Sequence, residues 1–271
     1  GSGENKPITV GLDADTSTLG QYTGTVTVNN LDITTAGGAG RGANDADDVF
    51  NVSLTVLDHA TPSFANESTI TSLPLDFGTF TTANAAQSLD FSVFNRGTNP
   101  AFTANMDFDS IMSSGDTSIL TTNAEASAGS LVLAGGASQM FTAMLSTLAV
   151  GSFSATYTLN FSDEDIAGAL NSQIVLTLTG TVLLAGDYNR DGIVDSADYL
   201  VWRKTDGTNT TPYDAADGDG NGMINDADLA LWYENFGKVA QGAGNSVAVP
   251  EPASILLAAF LLLGIDSRRK R

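Results

Sequence analysis

The segment GDYNRDGIVDSADYLVW, which begins at Gly186, carries five carboxylate or carboxamide side chains within twelve residues: Asp187, Asn189, Asp191, Asp195 and Asp198. Counted from Asp187, they stand at positions 1, 3, 5, 9 and 12. Unneutralised carboxylates at this density repel one another. A hard divalent cation reverses that sign, because calcium is held by oxygen atoms converging at about 2.3–2.6 Å. Gly192 at position 6 permits the sharp turn such a loop needs, and Ile193 at position 7 has only to offer its backbone carbonyl. Thirty residues later the spacing returns: Asp217, Asp219, Asn221, Asn225 and Asp228 fill the same positions, with Gly222 at the turn and Met223 at position 7. The following residues keep the register, Trp202 with Trp232 and Gly207 with Gly237, and these are the chain's two tryptophans. Asp-rich turn chemistry accounts for one such loop. Two in one register point to two calcium ions.

Each loop must be positioned by what flanks it. Downstream, both continue into a short helix, with Leu200, Val201, Trp202, Leu231, Trp232 and Phe236 as the small core. Upstream there is no helix: LTLTGTVLLAG reads as strand and GTNTTPYDAA as loop. Position 12 is Asp, where an EF-hand has Glu. This duplicated loop–helix resembles a type I dockerin domain over residues 185–240. The resemblance implies pseudo-symmetric packing of the two units, one calcium ion per loop and a cohesin-like protein partner. The family's recognition pair lies at loop positions 10 and 11, here Ser196 with Ala197 and Asp226 with Ala227. The hydroxyl pair common in cellulosomal members is absent, which separates this chain from a standard cohesin partner.

Upstream of residue 185 the pattern is β. Seven alternating runs start at Leu73, Ser88, Ala101, Ser130, Ser138, Ser152 and Gln173, separated by Gly, Asn and Asp turns. They predict an Ig-like antiparallel β-sandwich over residues 61–184, with Leu75, Phe77, Phe91, Val93, Phe141, Tyr157, Leu159, Val175 and Leu176 in its core. Residues 1–60 hold two more runs, YTGTVTV and VFNVSLTV, around a glycine-rich loop. STLGQYTGTVTV at Ser17 matches STLAVGSFSATYTL at Ser146, and DDVFNVSLTV at Asp47 matches NSQIVLTLTG at Asn171. The first zone thus reads as the end of a partial Ig-like module, whose open sheet face belongs to a longer protein or docks elsewhere. The complete module, through LDFGTF, FSVFNRGTNPAF and LAGGASQMFTAML, resembles the Ig-like repeats called choice-of-anchor D, related to Hydin-type domains. That resemblance implies a spacer or adhesion module.

After a linker at 241–249, residues 250–271 join a stiff Pro250, Glu251 and Pro252 to an apolar run over 253–265 and the basic stop Arg268, Arg269, Lys270 and Arg271. The run is short for a membrane span, which wants about 20 residues, but it lacks the polar face of a core helix. The order of parts resembles a PEP-CTERM sorting signal, which implies export, a short transmembrane helix holding the chain in the membrane before cleavage, and an exosortase as processing partner. A plain tail anchor is the alternative.

Composition bounds the rest. Of 271 residues, 31 are acidic and 11 basic, a net charge of −20, which argues against nucleic acid, since a phosphate-binding surface needs clustered Lys and Arg. There is no cysteine, hence no disulfide or thiolate site, and His59 is the single histidine, in a turn with no nucleophile signature beside it. The pairs Asp107/Asp109 and Asp163/Asp165 read as loop-edge charges rather than catalytic carboxylates. The expectation is therefore a mainly β chain: Ig-like sandwich modules, a small α calcium-binding pair and a C-terminal apolar helix. It would be an exported, non-catalytic cell-surface or extracellular-matrix protein. The alternative is the C-terminal part of a polysaccharide-degrading glycoside hydrolase whose dockerin mediates assembly.

Overall fold

The computed structural model describes residues 16–28, 48–165 and 168–240. Strands β1 (Gly20–Val28) and β2 (Asp48–Val56) form an antiparallel ribbon. Nine strands follow: β3 (Thr61–Ser63), β4 (Ser72–Thr81), β5 (Gln87–Arg96), β6 (Met106–Gly115), β7 (Leu120–Thr122), β8 (Val132–Leu133), β9 (Ser138–Leu145), β10 (Gly151–Asp163) and β11 (Asn171–Leu183). They make a five-stranded sheet ordered β4-β11-β10-β6-β8 and a four-stranded sheet ordered β3-β5-β9-β7. All pairings are antiparallel except β4 with β11, which run parallel. Two helices, α1 (Ser196–Thr205) and α2 (Asp226–Asn235), complete the described chain.

Period-two alternation explains the long strands. β10 turns Phe153, Ala155, Tyr157, Leu159 and Phe161 inward, and β11 turns Ile174, Leu176, Leu178 and Val182 the same way. The facing sheet supplies Phe91, Val93, Phe141, Ala143 and Leu145. Ring contacts Phe91–Phe141, Phe108–Phe141 and Phe108–Phe161, with centroids 5.6, 6.4 and 4.8 Å apart, carry the packing from one sheet to the other. Each buried phenyl contributes about 1.5–3 kcal/mol over an exposed one. The sole polar atom of Tyr157 is satisfied by donating to the Leu120 carbonyl at 2.6 Å.

Several expectations need correction. AFTANMDF does not begin a strand at Ala101. Asn99 caps a short 3₁₀ turn over Pro100–Phe102 by accepting from the Ala101 N–H, and β6 starts at Met106. SLVLA reduces to the two residues of β8, while the short β3 and β7 carried too little periodicity to be read. Val175 is not in the core: it neighbours Leu176 on the same strand, so the pleat sends it to the opposite face. Leu75 is half-buried at the core's edge.

The ribbon repeats the sandwich's last hairpin. Gly20 pairs with Val56 and Gly151 with Val182, and the two glycines share the same unusual backbone, φ +152° and +155°. This register aligns Val56 with Val182, two residues from the sequence match of Asp47 with Asn171, a shift that keeps every side chain on its face. In β10 and β11 that face is covered by the second sheet. In the ribbon its counterparts Tyr22 and Val26 are half-buried and Phe50 is 57 % exposed. The link to the sandwich is pinned by His59, whose Nδ1 lies 2.6 Å from the Asp163 carboxylate. Asp163, buried at the end of β10, also accepts the Ala60 and Leu170 N–H groups. Burial pushes its pKa up, but these hydrogen bonds and the His59 ring outweigh it and hold it below the usual value.

The linker at 241–249 and the tail at 250–271, where an apolar helix is expected, lie outside the described residues. Among the described residues no helix is long and apolar enough to cross a membrane.

Candidate metal centre

Both helices begin inside the acidic loops. Asp195, position 9 of the first loop, is the N-cap of α1 and accepts the Ala197 N–H, while Asp198, position 12, accepts the Asp195 N–H. Asn225 and Asp228 repeat this capping box at α2. An acidic side chain here also faces the positive end of the helix dipole. The position-12 carboxylates do more than cap. Asp198 and Asp228 are wholly buried, and each reaches back to the start of its loop. Asp198 accepts the Asn189 N–H at 2.9 Å, and Asp228 accepts those of Gly218 and Asp219 at 2.8 and 3.2 Å.

The position-1 carboxylates bind the backbone of their own loops. Asp187 accepts from the Asp191 and Gly192 N–H groups, and Asp217 accepts from those of Gly220, Asn221 and Gly222. Asn189 and Asp191 at positions 3 and 5 are exposed at the first loop's rim, as Asp219 and Asn221 are at the second's. Gly192 and Gly222 turn the chain at φ +89° and +78°. In the second loop one carboxylate oxygen each from Asp217, Asp219 and Asp228 lies within 4.8 Å of the others. That spread suits a single ion, since two oxygens bound at about 2.4 Å can stand up to roughly 4.8 Å apart across it. Burial, then the Asp228 and Asp217 charges, raise the Asp219 pKa, and burial with the Asp198 charge raises that of Asp187. The one basic residue within either loop, Arg190, turns away to Asp214 and the Tyr213 carbonyl, both at 3.2 Å. The cluster is thus a set of hard oxygens with no basic side chain of its own loops to neutralise it.

The two units are related by a pseudo-two-fold, visible bond by bond. The Trp202 Nε1–H donates to the Asn225 carbonyl at 2.9 Å, and the Trp232 Nε1–H donates to the Asp195 carbonyl at 2.7 Å. Each tryptophan therefore fixes position 9 of the other loop. Position 7 is closed the same way: Ile193 bridges Val239 and Met223 bridges Asn209. The hydrogen bonds of the first bridge run from Val194 to the Lys238 carbonyl and from Ala240 to the Gly192 carbonyl. Those of the second run from Ile224 to Thr208 and from Thr210 to Gly222. Both bridges run through the residues flanking position 7, so the Ile193 and Met223 carbonyls are not spent on them.

Of the twelve residues expected as ligands, Asp217, Asp219 and Asp228 bring carboxylate oxygens together, while among the described residues the first-loop carboxylates form no such group. The small core differs from expectation. Leu200 and Phe236 are more than half exposed, because the face of each helix that packs inward is set by the tryptophan contacts. The core is instead Tyr188, Val194, Trp202, Ala216 and Ile224, with Tyr199, Val201, Leu229 and Trp232 partly buried around it. The tryptophans serve as core and brace. Tyr188, which sequence reasoning passed over as loop position 2, packs on Gly218, its counterpart. A Cβ at Gly218 would lie 2.8 Å from the Tyr188 hydroxyl, and that hydroxyl donates to the Asp228 carbonyl at 2.5 Å. The lone signal was the tyrosine opposite a glycine at equivalent positions. Ser196 and Asp226, first of the expected recognition pairs, are exposed at the helix starts.

No family model matches this sequence, and no curated protein matches it. Solved structures that resemble it include the ASH / PapD-like domain 7 of human CEP192, with 11% identity, covering 46% of this chain and 87% of that one at a TM-score of 0.35. The CooA pilin subunit of enterotoxigenic Escherichia coli gives 9% identity, 45% and 98% coverage and a TM-score of 0.26. Domains 4 and 5 of the S-layer protein SbsC give 13%, 50% and 52%, and 0.21. Likenesses of this size fix neither a family nor an activity for this chain.

Proposed function

We propose that residues 185–240 are a dockerin-like module that binds two calcium ions and holds a protein partner of the cohesin kind, carried by an exported, non-catalytic surface or matrix protein. Asp187, Asn189, Asp191, the Ile193 carbonyl, Asp195 and Asp198 would hold one ion. Asp217, Asp219, Asn221, the Met223 carbonyl, Asn225 and Asp228 would hold the other. The observation that carries this reading is the convergence of Asp217, Asp219 and Asp228 within 4.8 Å, in a loop most of whose closing bonds have a twin in the first loop. The ion supplies positive charge that turns carboxylate repulsion into closure, so binding and folding are linked. The sandwich acts as spacer or adhesive surface. Residues 250–271 serve as the sorting signal, in the membrane until an exosortase cleaves near Pro252.

Calorimetric titration of the chelator-treated chain with calcium is the test. Two ions per chain are expected, with a gain of helix and a blue shift of tryptophan emission as the Trp202 and Trp232 braces form. Absence of heat, with helix content indifferent to chelator, would refute the assignment. For the tail, mass spectrometry of protein from its native host should find the residues after about Pro252 missing; an intact Arg271 would refute processing.

A further inference from the structure

The second loop is held against the sandwich by Tyr213, with Thr81 beside it. Tyr213 lies in the linker between α1 and the second loop with its backbone at φ +61°. Its ring packs on Phe80 of β4, with centroids 5.8 Å apart, and its hydroxyl accepts from the Asn84 side chain at 3.3 Å. The other side of the ring lies on the backbone of the loop: a Cβ added at Gly220 would come within 2.2–2.6 Å of three ring atoms. Its N–H donates to the Asp217 carboxylate at 3.1 Å. Beside it, the Thr81 hydroxyl reaches the Gly218 carbonyl at 3.5 Å. The equivalent position in the first unit is Leu183, the end of β11, whose carbonyl accepts the Thr82 N–H at 2.9 Å. The first loop is entered directly from a strand. The second is entered from a linker that Tyr213 ties to β4.

From this we infer that Tyr213 is a positioning residue through which the β4 end of the sandwich sets the calcium affinity of the second loop. The inference rests on the calcium reading above. A side chain wedged between β4 and Gly220, with its own N–H on the position-1 carboxylate, removes freedom that the loop would otherwise lose on binding. Less loss on binding means tighter binding. Arg190 of the first loop hydrogen-bonds to the Tyr213 carbonyl, so a change of ring leaves that bond in place and the first loop serves as an internal control.

The test is a calcium titration of the intact chain by calorimetry, in an Asp191→Ala background to report the second loop and an Asn221→Ala background to report the first. Tyr213→Ala should weaken the second loop about tenfold, the upper end of what an aromatic contact supplies. Phe80→Leu, which keeps the sandwich core apolar, should weaken it severalfold. Tyr213→Phe, which keeps the ring, should stay within about twofold, and the first loop should be indifferent to all three. Unchanged affinity of the second loop in Tyr213→Ala would overturn the coupling and leave the calcium reading standing. Equal weakening of both loops would also overturn it, as general destabilisation. An intact chain that takes up no calcium would overturn the calcium reading and this inference together.

Discussion

The two acidic loops share a pattern and differ in their surroundings. The first offers four Asp and one Asn at the side-chain positions, the second three Asp and two Asn. The first is entered from β11 and closed by Lys238 and Ala240; the second is entered from a linker, closed by Thr208 and Thr210, and covered by Tyr213. Position 4 shows the consequence. Both residues there have positive φ, 62° at Arg190 and 77° at Gly220. In the first loop the long Arg190 side chain reaches Asp214 and the Tyr213 carbonyl, while the second is confined to glycine by the tyrosine ring. Position 2 is the mirror case, with Tyr188 in the first loop filling the space that Gly218 leaves in the second. Ligand identity is thus set by the repeat, whereas stiffness is set by the neighbours, and the two determinants favour opposite loops.

Removing position 12 should have the largest effect and should separate the loops. Asp228→Ala leaves three N–H groups without an acceptor, those of Gly218, Asp219 and Asn225. Asp198→Ala leaves two, those of Asn189 and Asp195. At about 1–3 kcal/mol for each buried unpaired group, both variants should lose helical signal even in chelator, with Asp228→Ala unfolding at the lower temperature. Thermal unfolding followed by circular dichroism decides it; melting curves matching the parent in chelator would show that these carboxylates serve only the ion.

Equalising the charge should have a middle effect. Asn225→Asp gives the second loop the first loop's composition and preserves the cap, since Asp and Asn cap helices about equally. Calcium affinity of that loop should rise about tenfold, on the order of 1.4 kcal/mol. A flat response would assign the difference between the loops to their surroundings alone.

Acidity should have the smallest effect, acting on both loops with one sign. Burial raises the pKa of Asp187 and Asp219 above the ordinary 3.8. The folded, calcium-free loops therefore bind protons more tightly than the unfolded chain. Their stability is greatest near the ordinary value and falls as pH rises through the raised ones. With calcium bound the dependence inverts, because protons and ion compete for the same oxygens. Unfolding temperatures measured between about pH 4 and 7, with calcium and with chelator, should slope in opposite directions; parallel slopes would remove these two carboxylates from the ion's site.

What could be read from the sequence follows the range of the interactions. The two acidic loops were legible as a repeat because their spacing is local and doubled, and β10 and β11 because thirteen-residue strands show their alternation plainly. The reciprocal tryptophan bonds span 23 and 37 residues, beyond any periodicity, and without them Leu200 and Phe236 looked like core. β6 was displaced because Asn99 and Pro100 stop the chain in a capped turn that alternation cannot see. His59 falls between β2 and β3, and its partner Asp163 lies 104 residues away, out of reach of any local pattern.

The bridge between Ile193 and Val239 gives the chain a mechanical direction. Residues 192–194 and 238–240 run antiparallel, so the far end of the module returns to its beginning. A pull on the segment after Ala240 meets the bond from Ala240 to Gly192 first, then the bond from Lys238 to Val194. Load would be taken one bond at a time, as in opening a zipper, and would arrive at the turning glycine of the first acidic loop before it reached either helix. Tension on the tail and an ion held by that loop, as proposed above, would thereby act on the same few atoms.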